Sequence, residues 1–201
     1  MLLFFALTFV GAFSIGYNLA AYAASNRNKF QAAISGGSKF FNPYFCGFTA
    51  AVSVAVIGNM DGIIQLTSSI INAAKGLSYK PFDFWQSSRM MPPDPPGFEI
   101  TEFPFFTFLF ADLHAHLIAL PFTLLVLVLA LALVLNKNQY DNSRLNILAG
   151  ESIQTLILLT MLGVSTGALR VINTWDYPTY MIIGTTAVFA SNYFRYSTLS
   201  S

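Results

Sequence analysis

Charged residues are scarce in this chain. They make up only 9% of its 201 residues, whereas hydrophobic residues make up 55% and the mean hydropathy is +0.59. A soluble globular domain carries about 25% charged residues, because charges keep its surface in contact with water. The shortage of charge therefore excludes an ordinary soluble protein and indicates an integral membrane protein.

Cysteine and clustered basic residues are also lacking. Cys46 is the single cysteine, which excludes an internal disulfide bond and a cysteine-based zinc site. Ten Lys and Arg residues against nine Asp and Glu residues leave a formal net charge of +1, and the basic residues are scattered along the chain. Without a basic patch, the chain is not expected to bind nucleic acid.

Apolar runs, in contrast, are long enough to suggest membrane spans. A helix crosses a bilayer with about 20 apolar residues and contacts membrane lipids along its length. The predicted spans cover about 1–24, 41–58, 105–135, 153–169 and 178–194. They predict an all-α fold, a polytopic transmembrane helix bundle that forms a single integral membrane domain over residues 1–201. The third run is too long for one crossing, so we expect it to begin as an interfacial or re-entrant helix before Pro121.

Polar residues concentrate on one predicted side of the membrane. The connection 59–104 is predicted to be one long external loop that contains short helices, one of them amphipathic over 63–74. The distribution of basic residues favours a cytoplasmic location for the segment after the first span. Most acidic residues then face the external side: Asp61, Asp83, Asp94, Glu99, Glu102, Asp112 and Asp176. Because the chain begins inside an apolar run and stops just after another, we also expect it to be a piece of a longer protein.

Both histidines of the chain lie in one short motif, Asp112-Leu-His114-Ala-His116, directly before an uncharged apolar run. An acid and two imidazoles at a membrane boundary are costly to place, which favours a functional role. They are suited to binding a divalent cation such as Mg or Mn, to orienting a phosphate, or to general-base chemistry. Alternatively, the histidines anchor the helix at the level of the lipid headgroups. We predict a metal or phosphate site at Asp112, His114 and His116.

Aromatic residues mix with charged ones in the loop segment 80–89. Trp85 and Arg89 are suited to gripping a sugar face and an anionic group together. The other interpretation is an interfacial aromatic belt in which Asp83 pairs with Arg89.

A second tryptophan follows the fourth predicted span, in the segment 170–180. Arg170 is suited to binding the phosphate of a lipid carrier, although snorkelling to the headgroups is the commoner role of such an arginine. Asn173, Trp175 and Asp176 come directly after it and are predicted to lie on the same side as the histidine motif. The GxxxG spacing of Gly163 and Gly167 predicts close helix packing.

Asp61 lies at the membrane surface in the motif 59–62, where an acid is suited to act as a catalytic base or cation ligand. The alternative is an ordinary turn in which Gly62 supplies a positive φ.

Four motifs together resemble a known family. They are NMDG at 59–62, FDFWQSSR at 82–89, ITEFPFFTFLFADLHAHLIALPF at 100–122 and NTWDYPTY at 173–180. From about residue 40 onward the chain resembles the YYY-type family of bacterial and archaeal polytopic membrane proteins, the domain of unknown function 2298. The resemblance implies a multi-pass protein of the prokaryotic cell membrane, and members of this family are usually longer than this chain.

The layout of that family is similar to the C-type membrane glycosyltransferases, which take a sugar from a lipid-phosphate donor. The similarity implies catalytic carboxylates at Asp61 and Asp112, a cation or phosphate site at Asp112, His114 and His116, and a donor-phosphate contact at Arg170. Substrate-binding residues are expected among the polar and aromatic side chains of the same face: Trp85, Arg89, Glu102, Arg170, Asn173, Trp175 and Asp176.

Three hypotheses about function follow. The favoured one is a glycosyltransferase that uses a polyprenyl-phosphate sugar at the external membrane face. The second is a cation or proton transporter with a pathway along Asp112, His114 and His116. The third is a non-enzymatic subunit of a membrane complex whose loop aromatics dock a partner. The near absence of charge within the predicted spans favours the first hypothesis over the second.

Overall fold

The computed structural model describes residues 1–25, 42–57, 60–78, 81–83, 85–86, 104–111, 113–135 and 150–199. Within these ranges the chain forms helices and turns and no strand, which confirms the all-α prediction. The helices are α1 (Leu2–Ser25), α2 (Pro43–Val52) with a π-helical continuation (Ser53–Ile57), α3 (Asp61–Ala74), α4 (Pro104–Phe110), α5 (Ala115–Leu135), α6 (Gly150–Ile172) and α7 (Tyr177–Leu199).

Several helices are long and apolar enough to cross a membrane. Three qualify by length and hydropathy within the described residues, over Leu2–Ser25, Ala115–Leu135 and Ile153–Ile172. A fourth results if Pro43–Ile57 and Asp61–Ala74, which are bent by 81° to each other, form one broken span. Helix α7 occupies the fifth predicted stretch but is not among them. The polytopic membrane fold is therefore confirmed, and the count of five spans stays a prediction.

The long apolar run begins with a separate short helix before Pro121, as expected. The division falls after Phe110, and Pro121 itself lies inside α5. Ala111 ends α4 in the left-handed region with φ 58°, a conformation that stops a helix and costs a non-glycine residue about 1 kcal/mol. A membrane helix tolerates an internal proline because neighbouring helices, Ser or Thr side chains, water and small local adjustments of the helix satisfy the freed backbone groups.

Close glycine contacts bring α1 against its two neighbours. A Cβ atom added to Gly16 would lie 2.7 Å from the carbonyl oxygen of Cys46, and one added to Gly11 would lie 2.9 Å from the Cβ of Leu124. Since real side-chain atoms do not approach so closely, these glycines let α2 and α5 pack directly on α1. A separate hydrophobic core joins α5 to α6 and α7. Its buried residues are Ala119, Val126, Leu129, Leu133, Leu162 and Leu169.

The helix directions collect the polar turns at one end of the bundle. Phe5 of α1 contacts Phe108 of α4, with 5.2 Å between ring centroids, so α4 lies near the beginning of α1. Ser191, late in α7, donates a hydrogen bond of 2.9 Å to the carbonyl oxygen of Leu133, late in α5. Helices α5 and α7 therefore begin at the same end, where α6 finishes, and we call this end the polar end.

Candidate functional site

The turn between α6 and α7 is closed by its own side chains. Asn173 follows the last residue of α6 and is only 6% exposed. Its amide Nδ2 donates a 2.7 Å hydrogen bond to Oδ2 of Asp176, which directly precedes α7. The carbonyl of Asp176 accepts the N–H of Tyr180, so its carboxylate lies at the positive end of the α7 dipole. A four-residue connection from Asn173 to Asp176 is thus locked in one conformation.

His116, in the first turn of α5, is joined to this turn. Its Nδ1 lies 3.0 Å from Nδ2 of Asn173. Because the same amide nitrogen donates to the Asp176 carboxylate, the orientation of the Asn173 side chain is determined, and Nδ1 of His116 must accept. The proton of the neutral imidazole is then on Nε2. His116 is exposed and presents an N–H group, which suits a phosphate oxygen and does not suit a cation. We call His116, Asn173 and Asp176 the hairpin triad.

Arg170 and Trp175 flank the hairpin triad. Trp175 lies in the turn and is 88% exposed. The guanidinium of Arg170, in the last turn of α6, lies 5.8 Å from the ring centroid of Tyr177, within cation–π range. Arg170 forms no ion pair with any described residue. An exposed cation and an exposed indole therefore stand on either side of Asn173 along the chain.

A second group forms around Asp61, the first residue of α3, which is 4% exposed. Its Oδ2 accepts a 2.6 Å hydrogen bond from Nε2 of Gln65, and its Oδ1 accepts a 3.0 Å bond from Nε2 of Gln86. Gln65 also bonds both backbone groups of Asp83, at 2.9 Å each. Asp61 and Gln65 thus hold Gln86 and Asp83 against the beginning of α3.

Trp85 connects this second group to α4. Its ring lies 4.9 Å from that of Phe110 in an edge-to-face arrangement and 5.8 Å from that of Phe106, measured between centroids. The backbone N–H of Trp85 donates to Oδ1 of Asp83 at 2.9 Å. The indole is 45% exposed, so it joins α4 to the loop and still offers part of its ring to a ligand or to lipid.

The sequence matches one protein family along its whole length, residues 1–201. The chain belongs to the family described as Uncharacterized membrane protein (DUF2298). Neither the curated proteins nor the solved structures provide a match. Family and helices together establish an integral, multi-pass membrane protein.

In this DUF2298 protein the predicted site residues form two groups. The Asp61 group contacts α4 through Trp85, the hairpin triad includes the first turn of α5, and residues 111–114 connect these two helices. No hydrogen bond between described residues links the groups. Asp112, Arg89 and Glu102 lie outside the described residues.

The predicted metal site of the DUF2298 chain stays a prediction. No group of three His, Cys, Asp or Glu side chains able to hold a metal occurs among the residues that the structure describes. The predicted set includes Asp112, which lies outside them. His114 is exposed in the connection before α5, and His116 is held by Asn173 in the form that donates through Nε2. The motif left open cation binding, phosphate binding, general-base chemistry and anchoring at the headgroups, and an Nε2–H donor on His116 is compatible with a phosphate or a headgroup as its partner.

Sequence reasoning missed the two glutamines and misassigned one turn. Gln65 carried a local signal, since it follows Asp61 by four residues on a helix and such residues are neighbours. Gln86 carried none, because it reaches Asp61 only through tertiary structure. The positive φ before α3 belongs to Met60, at 69°, whereas Gly62 lies inside the helix. The turn interpretation based on Gly62 was therefore wrong.

Proposed function

We propose that this protein transfers a sugar from a polyprenyl-phosphate donor to an acceptor hydroxyl at the external face of the membrane. The observation that carries the proposal is the hairpin triad beside Arg170 and Trp175, at the same end of the bundle as the buried carboxylate of Asp61. A sugar carried on a lipid phosphate needs an anion site at the membrane surface, an apolar or aromatic surface for the sugar ring, and a base.

The phosphate of the donor is assigned to Arg170 and His116. Arg170 supplies a permanent positive charge, and Nε2–H of His116 supplies a directed donor. Asn173 orients the imidazole and Asp176 orients Asn173, so the donor group is held before the substrate arrives. The exposed indole of Trp175 offers a flat face to the sugar.

Asp61 is assigned the role of base. An acceptor oxygen attacks the anomeric carbon of the sugar, and the bond from that carbon to the phosphate oxygen breaks. The electron pair of the broken bond leaves with the phosphate, and the hydroxyl proton passes to the Asp61 carboxylate. In an inverting transfer the acceptor enters opposite the leaving group, which agrees with separate locations for the base and the phosphate site. The acceptor must displace Gln86 from Oδ1 of Asp61.

A transport pathway finds less support. The described residues of α1 and α5 include no Asp, Glu, Lys or Arg, and the hairpin triad lies at the polar end of the bundle. A proton or cation relay requires titratable groups at intermediate depth.

The test is turnover by the purified full chain with labelled polyprenyl-phosphate sugars. We expect Asp61→Asn and His116→Ala each to lower the rate, by about 10²-fold or more for the base. Asp141→Asn is the matched control, because Asp141 lies on the predicted cytoplasmic side and should leave the rate unchanged. Absence of turnover with every donor, or turnover indifferent to both variants, would refute the proposal.

A further inference from the structure

An apolar groove of about 450 Å³ runs between α6 and α7. Its walls are formed by small or flexible side chains of both helices: Gly163, Thr166, Gly167, Met181, Gly184 and Thr185. Leu162 closes the floor, since a Cβ atom on Gly184 would lie 3.5 Å from its side chain. The volume falls in the range of about 300–1,000 Å³ that is typical of small-molecule sites.

The two glycines of the GxxxG motif keep this groove open. A Cβ atom on Gly163 or Gly167 would meet no atom within 4 Å, in contrast to Gly11, Gly16 and Gly47. Among the described residues no helix packs against Gly163 or Gly167, so their predicted role in close helix packing stays a prediction. Larger side chains at these positions would enter the groove without disturbing the protein's own packing.

The polar end of the groove carries a positive charge. Tyr177 lines the groove, and the guanidinium of Arg170 lies over the same ring at 5.8 Å. Arg170 also follows Gly167 by three residues on α6, a rise of roughly 4.5 Å. From Leu159 to Gly167 the α6 wall is roughly 12 Å long at the same rise per residue. An apolar groove that ends at a cation matches an amphiphile with an apolar tail and an anionic head.

We infer that this groove binds the isoprenoid chain of the polyprenyl phosphate, with the phosphate on Arg170. The inference rests on the proposed function and adds where the lipid of the donor lies. One groove accommodates one linear chain, and the cation at its end matches the phosphate that this chain carries. A phosphate on Arg170 lies one helical turn from Asn173, so the attached sugar reaches the hairpin triad.

The experiment measures binding without catalysis. The full chain is placed in nanodiscs of phosphatidylcholine, and bound polyprenyl phosphate is counted by native mass spectrometry, with phosphatidylglycerol as the competing anionic lipid. We expect one polyprenyl phosphate per chain, retained over an excess of phosphatidylglycerol. Gly163→Leu combined with Gly167→Leu should fill the groove and lower the affinity by about tenfold or more, and Arg170→Gln should do the same through loss of a charge-assisted contact.

Two control variants distinguish filling of the groove from damage to the fold. Gly163→Ala combined with Gly167→Ala raises helix propensity about as much as the double leucine variant does, but it leaves most of the groove empty. Lipid binding should therefore fall much less than in the double leucine variant. Val164→Leu adds bulk on the exposed side of α6, outside the groove lining, and should leave binding unchanged. Circular dichroism of each variant confirms that helix content is retained.

Three results would overturn the inference. Unchanged binding in the double leucine variant would place the lipid elsewhere. Equal competition by phosphatidylglycerol would make a bilayer phospholipid the occupant. Cross-linked dimers that the double leucine variant abolishes would make a second copy of the chain the occupant. If binding follows the expectation but no sugar is transferred, only the proposed function fails; if sugar is transferred but the leucine variant binds normally, only the groove assignment fails.

Discussion

Asn173→Ala removes the single amide that joins Asp176 to His116, and we expect it to destabilise the protein more than any neighbouring substitution in the turn. The lost bonds are 2.7 Å to a carboxylate and 3.0 Å to an imidazole. A hydrogen bond to a charged group contributes about 1.5–3 kcal/mol and a neutral one about 0.5–1.5 kcal/mol. Water reaches the partly exposed Asp176 and replaces part of this loss, so we expect about 2–3 kcal/mol in total.

The assay is unfolding of the purified protein in mixed detergent micelles, followed by the fluorescence of its two tryptophans. Thr174→Ala is the control, because Thr174 is adjacent and exposed and its hydroxyl bonds only the Arg170 carbonyl among the described residues. We expect this control to change the free energy of unfolding by less than about 0.5 kcal/mol.

A double-mutant cycle then tests the link to α5. His116→Ala and Asn173→Ala should show a coupling energy of about 0.5–1.5 kcal/mol, since the two side chains touch. Additive effects, or an Asn173→Ala variant no less stable than Thr174→Ala, would refute the reasoning that the hairpin triad holds α5 against the α6–α7 turn.

Three further predictions concern stability and share the same unfolding assay. Gly16→Ala should destabilise the protein by about 1–3 kcal/mol, because the new Cβ would lie 2.7 Å from the Cys46 carbonyl oxygen. Gly163→Ala is the control and should be neutral or stabilising, since its Cβ would meet no atom within 4 Å. Equal effects of the two substitutions would contradict the packing of α1 on α2. Thr8→Val should stabilise by about 1 kcal/mol, since the buried Thr8 hydroxyl has no hydrogen-bond partner among the described residues; a loss of stability would show that this hydroxyl is bonded. Ala111→Gly should stabilise by up to about 1 kcal/mol by relieving a φ of 58°; a clear decrease would show that the αL conformation is not strained.

The fold class could be predicted well because it depends on local properties. A run of apolar residues that must satisfy its own backbone in lipid has few choices besides a helix. Four of the five predicted spans each correspond to one helical stretch, and the third, 105–135, is divided between α4 and α5. The amphipathic helix over 63–74 was also predicted from a local pattern, and α3 contains it. The boundaries were less predictable. Proline normally marks a break, yet α5 continues through Pro121 and the break falls at Ala111.

The candidate site could be predicted only in part. The sequence identified His116, Asn173 and Asp176 as polar residues on one side of the membrane, although 57 positions separate the histidine from the asparagine. It did not pair them, and it did not indicate that glutamines hold Asp61. Hydrogen bonds between distant segments depend on helix directions and side-chain positions, and neither leaves a periodic pattern in the chain.

The sequence by itself determined a membrane protein of apolar helices with its acids, histidines and tryptophans in the turns, because transfer of each side chain between water and lipid is a property of that residue. The tertiary structure alone decided which of these turns contact each other and which of their residues are buried. In the folded chain, His116 contacts the α6–α7 turn, and the buried Asp61 accepts a hydrogen bond from Gln86. Gly163 and Gly167 of α6 line an open groove. Only the packed bundle determines these contacts, because they join residues that are far apart in the sequence.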